Sequence, residues 1–154
     1  MRHAKSSWKS DAPTDHGRPL NKRGRKAAPK VGAELAARGW VPDVVWSSDS
    51  TRTRETFERM RAPLGFEGEA HFVPNLYHGG IREAQAVIAE MNPDVRIALL
   101  LGHNPGWEEL VEHLSGQAAV MKTGCAALLR AKGEWSELGE HAWTLEDVIY
   151  PRSL

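Results

Sequence analysis

Three short runs of the chain are almost continuously apolar: "DVVWSS" at Asp43 to Ser48, "RIALLLG" at Arg96 to Gly102 and "GCAALLR" at Gly124 to Arg130. Runs of that length, aliphatic or β-branched and without polar alternation, predict buried β-strands. Around them, apolar positions recur every three or four residues: Ala27, Val31 and Leu35; Thr53, Phe57 and Met60; Ala84, Val87, Ile88 and Met91; Trp107, Leu110, Val111 and Leu114. This spacing gathers each set on one face of a helix. Buried strands alternating with amphipathic helices predict an α/β fold, a three-layer α/β/α sandwich with a mostly parallel central sheet. Pro29 falls inside the first helical pattern and removes a backbone donor, so that helix is expected to begin late or to kink. Pro63 with Gly65, Pro74, Gly79-Gly80 and Pro93 read as turns.

In such sheets ligands bind beyond the carboxyl ends of the strands. Groups able to hold an anion stand at those places: Arg2 and His3 at the head of the chain, "SSDSTRTRET" after the first apolar run, and "GHNPGWEEL" after the second. The stretch Ser48 to Thr51 is rich in helix-capping hydroxyls and leaves Arg52 in the first helical turn, where free N–H groups also favour an anion. Gly102 to Pro105 reads as a strand end, a tight turn and a helix with proline at its first position.

Composition narrows the partners. The chain has 154 residues, enough for one domain spanning 1–154 and too few for two ordinary ones. Twenty basic residues balance twenty acidic ones, so no global field draws nucleic acid or an acidic membrane, and an anion site has to be built locally. The basic opening "MRHAKSSWKSD" lacks the apolar stretch of a secretory signal, and no run approaches the roughly 18 residues of a membrane span. A lone Cys125 cannot form an internal disulfide. The expectation is a soluble cytoplasmic protein, monomeric, with no repeats.

Four stretches, in order, carry a resemblance. "RHAK" at Arg2 to Lys5 resembles the Arg-His-Gly signature of the histidine phosphatase superfamily in an Arg-His-Ala form. "DHGRPLNKRG" at Asp15 to Gly24, "SSDSTRTRET" at Ser47 to Thr56 and "LLGHNPGWEELVEHL" at Leu100 to Leu114 are similar to its small SixA-type phosphohistidine phosphatases. The resemblance implies a phosphoglycerate mutase-like fold and a metal-independent, cofactor-free phosphatase. His3 is then the nucleophile, Arg2 and Arg52 clamp the phosphoryl oxygens, His103 completes the cradle as a hydrogen-bond donor, and Arg18 binds substrate at the rim. Chemically the set is coherent: a neutral imidazole can attack phosphorus to give a phosphohistidine, which water hydrolyses, while paired guanidinium forks stabilise the equatorial oxygens.

In the family the nucleophilic histidine ends a strand several residues long, whereas here only Met1 and Arg2 precede His3, so the expectation is either a start that lies further upstream or a truncated strand that leaves its ladder neighbours unpaired. No segment matches the carboxylic acid with which ester-cleaving relatives protonate their leaving group; Glu67, Glu69 and Glu83 carry no family signature. A leaving imidazole needs such an acid less than an alkoxide does. The expected substrate is therefore phosphohistidine in a partner protein. Phosphatases of small phosphate esters and a non-catalytic phosphate-binding module are the rival readings.

Other residues take plainer readings. His16, His71, His78, His113 and His141 are ordinary surface or core residues. His103, Glu109 and His113 lack the spacing of a zinc site. Cys125 and Arg130 fall one residue short of a cysteine-phosphatase loop, and Cys125 reads as a buried thiol. Arg54 is expected to face solvent and pair with a glutamate such as Glu58. The tryptophans are packing residues, Trp8 and Trp107 being close enough to the motifs to wall the pocket.

Overall fold

The computed structural model describes residues 1–154. Helix α1 spans Lys22–Ala37, β1 Val44–Ser48, α2 Thr51–Leu64, β2 Glu69–Val73, α3 Ile81–Ala89, β3 Ala98–Leu101, α4 Gly106–Ser115, β4 Ala126–Arg130 and β5 Thr144–Ile149. Strands β2, β1 and β3 form a parallel sheet in that order, with Val45 opposite Ala70 and Leu99. Strands β4 and β5 form an antiparallel pair. No helix is long and apolar enough to cross a membrane.

Alternation along the strands sorts the helices into layers. Val45, Leu99, Leu101, Ala126 and Leu128 pack with Val31, Leu35, Phe57 and Met60 of α1 and α2. Trp46, Leu100 and Leu129, one position out of phase, pack with Ile88, Trp107, Leu110 and Leu114 of α3 and α4. The three-layer architecture expected from the sequence is the one observed.

Residues 1–4 join the two sheets. Arg2 bridges Gly102 in parallel, and the His3 amide donates to the Gly102 carbonyl at 3.1 Å. On the other side the Arg2 amide donates to Cys125 at 3.0 Å, and Gly124 donates to the His3 carbonyl at 2.8 Å. The segment is a stub, as short as expected, but its ladder neighbours are not left unpaired: it pairs on both edges at the carboxyl end of β3. Toward the opposite end of the sandwich β3 and β4 part around an apolar cavity of about 540 Å³ lined by Met1, Leu35, Trp40, Leu99, Leu128 and Trp135, among others. None of the five candidate site residues touches it.

Several local expectations are corrected. Helix α1 begins at Lys22, ahead of Pro29, and runs through it; the Asn21 side chain caps it by accepting from Gly24 at 2.9 Å. Pro63 lies in the last turn of α2 rather than in a turn, and the helix stops at Gly65, whose φ of 71° is open to glycine. Pro105 is the N-cap of α4, one place before the first helical residue. Strand β3 starts at Ala98, two residues later than its apolar run. Strands β2 and β5 had not been expected: "EAHFV" is short and half-exposed, and "TLEDVI" is an edge strand whose acidic residues face out.

Candidate active site

The loops that leave β1 and β3, together with residues 2–4, bring four of the five candidate residues together. His3, Arg52 and His103 are 6 %, 6 % and 7 % exposed, far below what their polarity favours in a free-standing core. The rings of His3 and His103 lie 5.1 Å apart, tilted by 51°. Arg2 reaches the same place from the stub, its Nη1 donating to the Met121 carbonyl at 3.1 Å.

Each ring is oriented by a defined partner. His3 Nδ1 lies 2.7 Å from the Ala4 carbonyl. A carbonyl only accepts, so Nδ1 carries the proton and Nε2 keeps its lone pair. Burial first, and then the positive charges of Arg52, Arg2 and Arg18, lower the His3 pKa to about 4, which leaves the ring neutral at pH 7. The stub is fastened to α2 behind it: the Ala4 amide donates to Thr56 Oγ1 at 3.0 Å, and that hydroxyl donates to the Arg52 carbonyl at 2.7 Å.

His103 is set by a chain of hydroxyls. Ser48 Oγ accepts the Ser50 amide at 3.2 Å and lies 2.8 Å from His103 Nε2; with the Ser48 hydroxyl as donor, Nε2 accepts and the ring proton sits on Nδ1. Burial, then His3 and Arg52, lower its pKa to about 3, so it too is neutral. Underneath, the Trp107 ring fills the space in front of Gly102, where an added Cβ would lie 2.7 Å from the ring. Trp107 therefore supports the floor and does not wall the pocket.

Three buried nitrogens on these residues have no acceptor in the protein: Arg2 Nε, Arg52 Nε and His103 Nδ1. Each buried, unpaired N–H costs about 1–3 kcal/mol. Arg52 and Arg2 are close enough for their charges to act on the neutral His3 ring, and the His103 ring stands 5.1 Å from it, a setting that suits an anion with several oxygens.

Arg18, the fifth candidate, stands one shell out. Its Nη1 donates to Ser6 Oγ at 2.8 Å and the Ser7 carbonyl at 3.0 Å, its Nε to Asp15 Oδ1 at 2.9 Å. Asp15 links it to the centre, because Arg52 donates through Nη1 to the Asp15 carbonyl at 2.7 Å and through Nη2 to Oδ2 at 3.0 Å. Tyr77 O–H donates to the same carboxylate. These hydrogen bonds, that of Tyr77 foremost, hold the Asp15 carboxyl far below the usual carboxylate range.

Sequence reasoning missed Asp15 and Tyr77. Asp15 had a signal, since it opens the stretch that contains Arg18; Tyr77 had none. His16 is no bystander: its Nε2 meets Asp49 Oδ1 at 2.8 Å and its ring stands edge-on to Tyr77 at 4.7 Å. Arg54 does face outward, but it donates to the Asp49 carbonyl at 2.9 Å and lies over Phe72 instead of pairing with Glu58. Trp8 is 76 % exposed and stacks on Arg18, outside the buried centre. Cys125 is fully buried, as expected. No three of the His, Cys, Asp and Glu side chains come together as a metal site.

The chain has recognisable relatives among known proteins. The sequence profile of the histidine phosphatase superfamily (branch 1) matches residues 1–98. An uncharacterized chloroplastic protein of Arabidopsis thaliana is 41% identical over 167 residues, covering 99% of this chain and 77% of that protein. A structure from Nakamurella multipartitia assigned as the phosphohistidine phosphatase SixA is similar with a TM-score of 0.83 and 30% identity, over 98% of this chain and 93% of that one. A protein histidine phosphatase SixA complexed with tungstate shares the fold with a TM-score of 0.86 at 24% identity, over 99% and 96% of the two chains.

Proposed function

Because the chain belongs to the histidine phosphatase superfamily, and is by that membership a phosphatase, we propose that it removes phosphate through a covalent intermediate on His3, from phosphohistidine in a partner protein. The observation that carries this reading is the gathering of Arg2, Arg52 and His103, each with one buried nitrogen unpaired in the protein, near a histidine whose Nε2 is unprotonated.

The steps follow from that arrangement. The Nε2 lone pair of His3 attacks phosphorus while the bond to the leaving nitrogen breaks, and the Nδ1 proton stays shared with the Ala4 carbonyl, which steadies the imidazolium-like intermediate. The three donors take the equatorial oxygens, where negative charge gathers in the transition state. Water then attacks the phosphohistidine, and phosphate leaves with the Nε2 lone pair restored.

The leaving group favours a phosphoramidate. Asp15 is the carboxylate joined to the Arg52 clamp, and it is held ionised, which makes it a poor proton donor at neutral pH. A departing imidazole takes its proton at the other nitrogen and makes little demand on such an acid. The similarity to structures assigned as SixA supports the same substrate class. Independence from metals and a cytoplasmic setting complete the reading.

The test is to trap labelled phosphate on the enzyme and map it. Label on His3, labile in acid and stable in alkali, with faster turnover of a phosphohistidine peptide than of p-nitrophenyl phosphate, supports the proposal. Label on a hydroxyl, or preference for the aryl ester, overturns it.

A further inference from the structure

Two of the large hydrophobic side chains stand out in water, Trp8 at 76 % and Val120 at 60 % exposure. Trp8 lies flat on Arg18, with the guanidinium carbon 3.6 Å from the ring centroid, and Arg18 is tied through Asp15 to Arg52. Val120 precedes Met121, whose carbonyl accepts from Arg2 Nη1 at 3.1 Å and Asn104 Nδ2 at 2.8 Å and whose amide donates to Glu108 at 2.8 Å. Trp8 is thus linked to Arg52 through Arg18 and Asp15, and Val120 is the chain neighbour of the residue whose carbonyl holds Arg2. Single exposed hydrophobics are ordinary, but these two adjoin the network that holds the clamp.

The charges of the same two segments are lopsided. Lys5, Lys9 and Lys122 are exposed there. Of the carboxylates, Asp15 is bound to Arg18 and Arg52, Glu108 accepts the Met121 amide, and Asp11 alone is an exposed acid without a recorded partner. An exposed tryptophan tied to the clamp network, an exposed valine next to the residue that holds Arg2, and three exposed lysines fit the chain around a phosphorylated residue and not an isolated phosphate compound.

We propose that Trp8, on its Arg18 platform, and Val120 form a docking surface for an acidic phosphorylated polypeptide. It selects that substrate over free phosphorylated compounds by contacts with the residues flanking the phosphorylated side chain. This rests on the phosphohistidine reading above and adds the surface that enforces it. An aromatic residue pinned by a stacked cation gives up little rotamer freedom on binding, which is what makes tryptophan an effective anchor.

Three probes test it: N-acetyl-phosphohistidine amide, a 15-residue peptide with one central phosphohistidine flanked by Leu and Glu, and the same peptide with Lys in place of Glu. The wild-type protein is expected to turn over the acidic peptide with kcat/KM about ten-fold or more above the free amide and the Lys peptide. Trp8→Ala and Val120→Ser, at exposed positions where folding is not at stake, are expected to lower kcat/KM on the acidic peptide about ten-fold and about three-fold, through KM. Turnover of the free amide stays within two-fold of wild type. Equal losses on peptide and amide overturn the docking surface, as does an acidic peptide handled no better than the amide. Failure to turn over any of the three, with p-nitrophenyl phosphate hydrolysed, overturns the phosphohistidine reading itself and the surface with it.

Discussion

Replacing Asp15 by Asn should make the protein bind phosphate-like anions more tightly. The carboxylate is an internal anion on the clamp, 3.0 Å from Arg52 Nη2, and an incoming phosphoryl group is drawn to the same guanidinium. Asparagine removes the charge but keeps a side-chain oxygen for Arg52, and the backbone carbonyl that accepts from Nη1 at 2.7 Å is untouched. The orientation of Arg52 is therefore conserved while the repulsion is lost. The Asp15 side chain is 49% exposed, so an effective dielectric near that of the surface applies. At a separation of about 6 Å and a dielectric of about 40, each unit of charge on the ligand is repelled by about 1.4 kcal/mol, or about ten-fold in affinity. The assay is titration with orthovanadate at low ionic strength, repeated in about 1 M salt, where a Debye length of about 3 Å should shrink the gain to about two-fold. Unchanged or weaker vanadate binding at low salt would refute the reasoning and make Asp15 a support for Arg52 instead of a competitor.

Arg52→Lys should lower kcat/KM by about 10² to 10³, the usual loss for one preorganised transition-state donor, whereas Arg54→Ala should change it less than two-fold; steady-state kinetics on one phosphohistidine peptide separates them. Stability should fall on acidification between about pH 6.5 and pH 4: His3 and His103 have folded pKa values of about 4 and 3, below the unfolded value, so the unfolded chain takes up protons that the native one refuses. Urea midpoints at pH 7 and pH 4.5 measure this, and His103→Gln should reduce the difference. Prolonged treatment with a chelator should leave the rate unchanged, because guanidinium groups supply the positive charge a metal would bring; activity lost to the chelator and regained with a divalent cation counts against the mechanism.

What the sequence announced, and what it hid, divide along physical lines. The strands of the core were legible because burial on both faces writes a continuous apolar run, as in "RIALLLG". Strand β5 was not, because an edge strand needs only its inward residues apolar, and Leu145 and Ile149 are too few to register. Helix α1 starts earlier than expected because Pro29 suggests a late start or a kink, while the cap that begins the helix, Asn21, lies eight residues before it. At the site, residues within motifs of fixed spacing were found and largely brought together: His3, Arg52 and His103. Tyr77 could not be found, since it follows a short turn of 3-10 helix and comes beside Asp15 across 62 positions of sequence through tertiary packing alone. The exposed tryptophan was assigned to the pocket wall because sequence distance from His3 was its only cue, and a stacked guanidinium turned it outward.

The pairing of residues 1–4 also orders events in time. Every backbone partner of Arg2 and His3 lies about a hundred residues or more further along the chain, at Gly102, Gly124 and Cys125. Closing loops of that length is slow compared with forming helices or the contacts between α1 and α2. During synthesis residues 1–4 therefore have no ladder to join until β3 has emerged and the chain has passed Cys125. The reactive imidazole is installed late, as the seam between two sheets that already exist, and a nascent or truncated chain ending before β4 lacks one side of that seam.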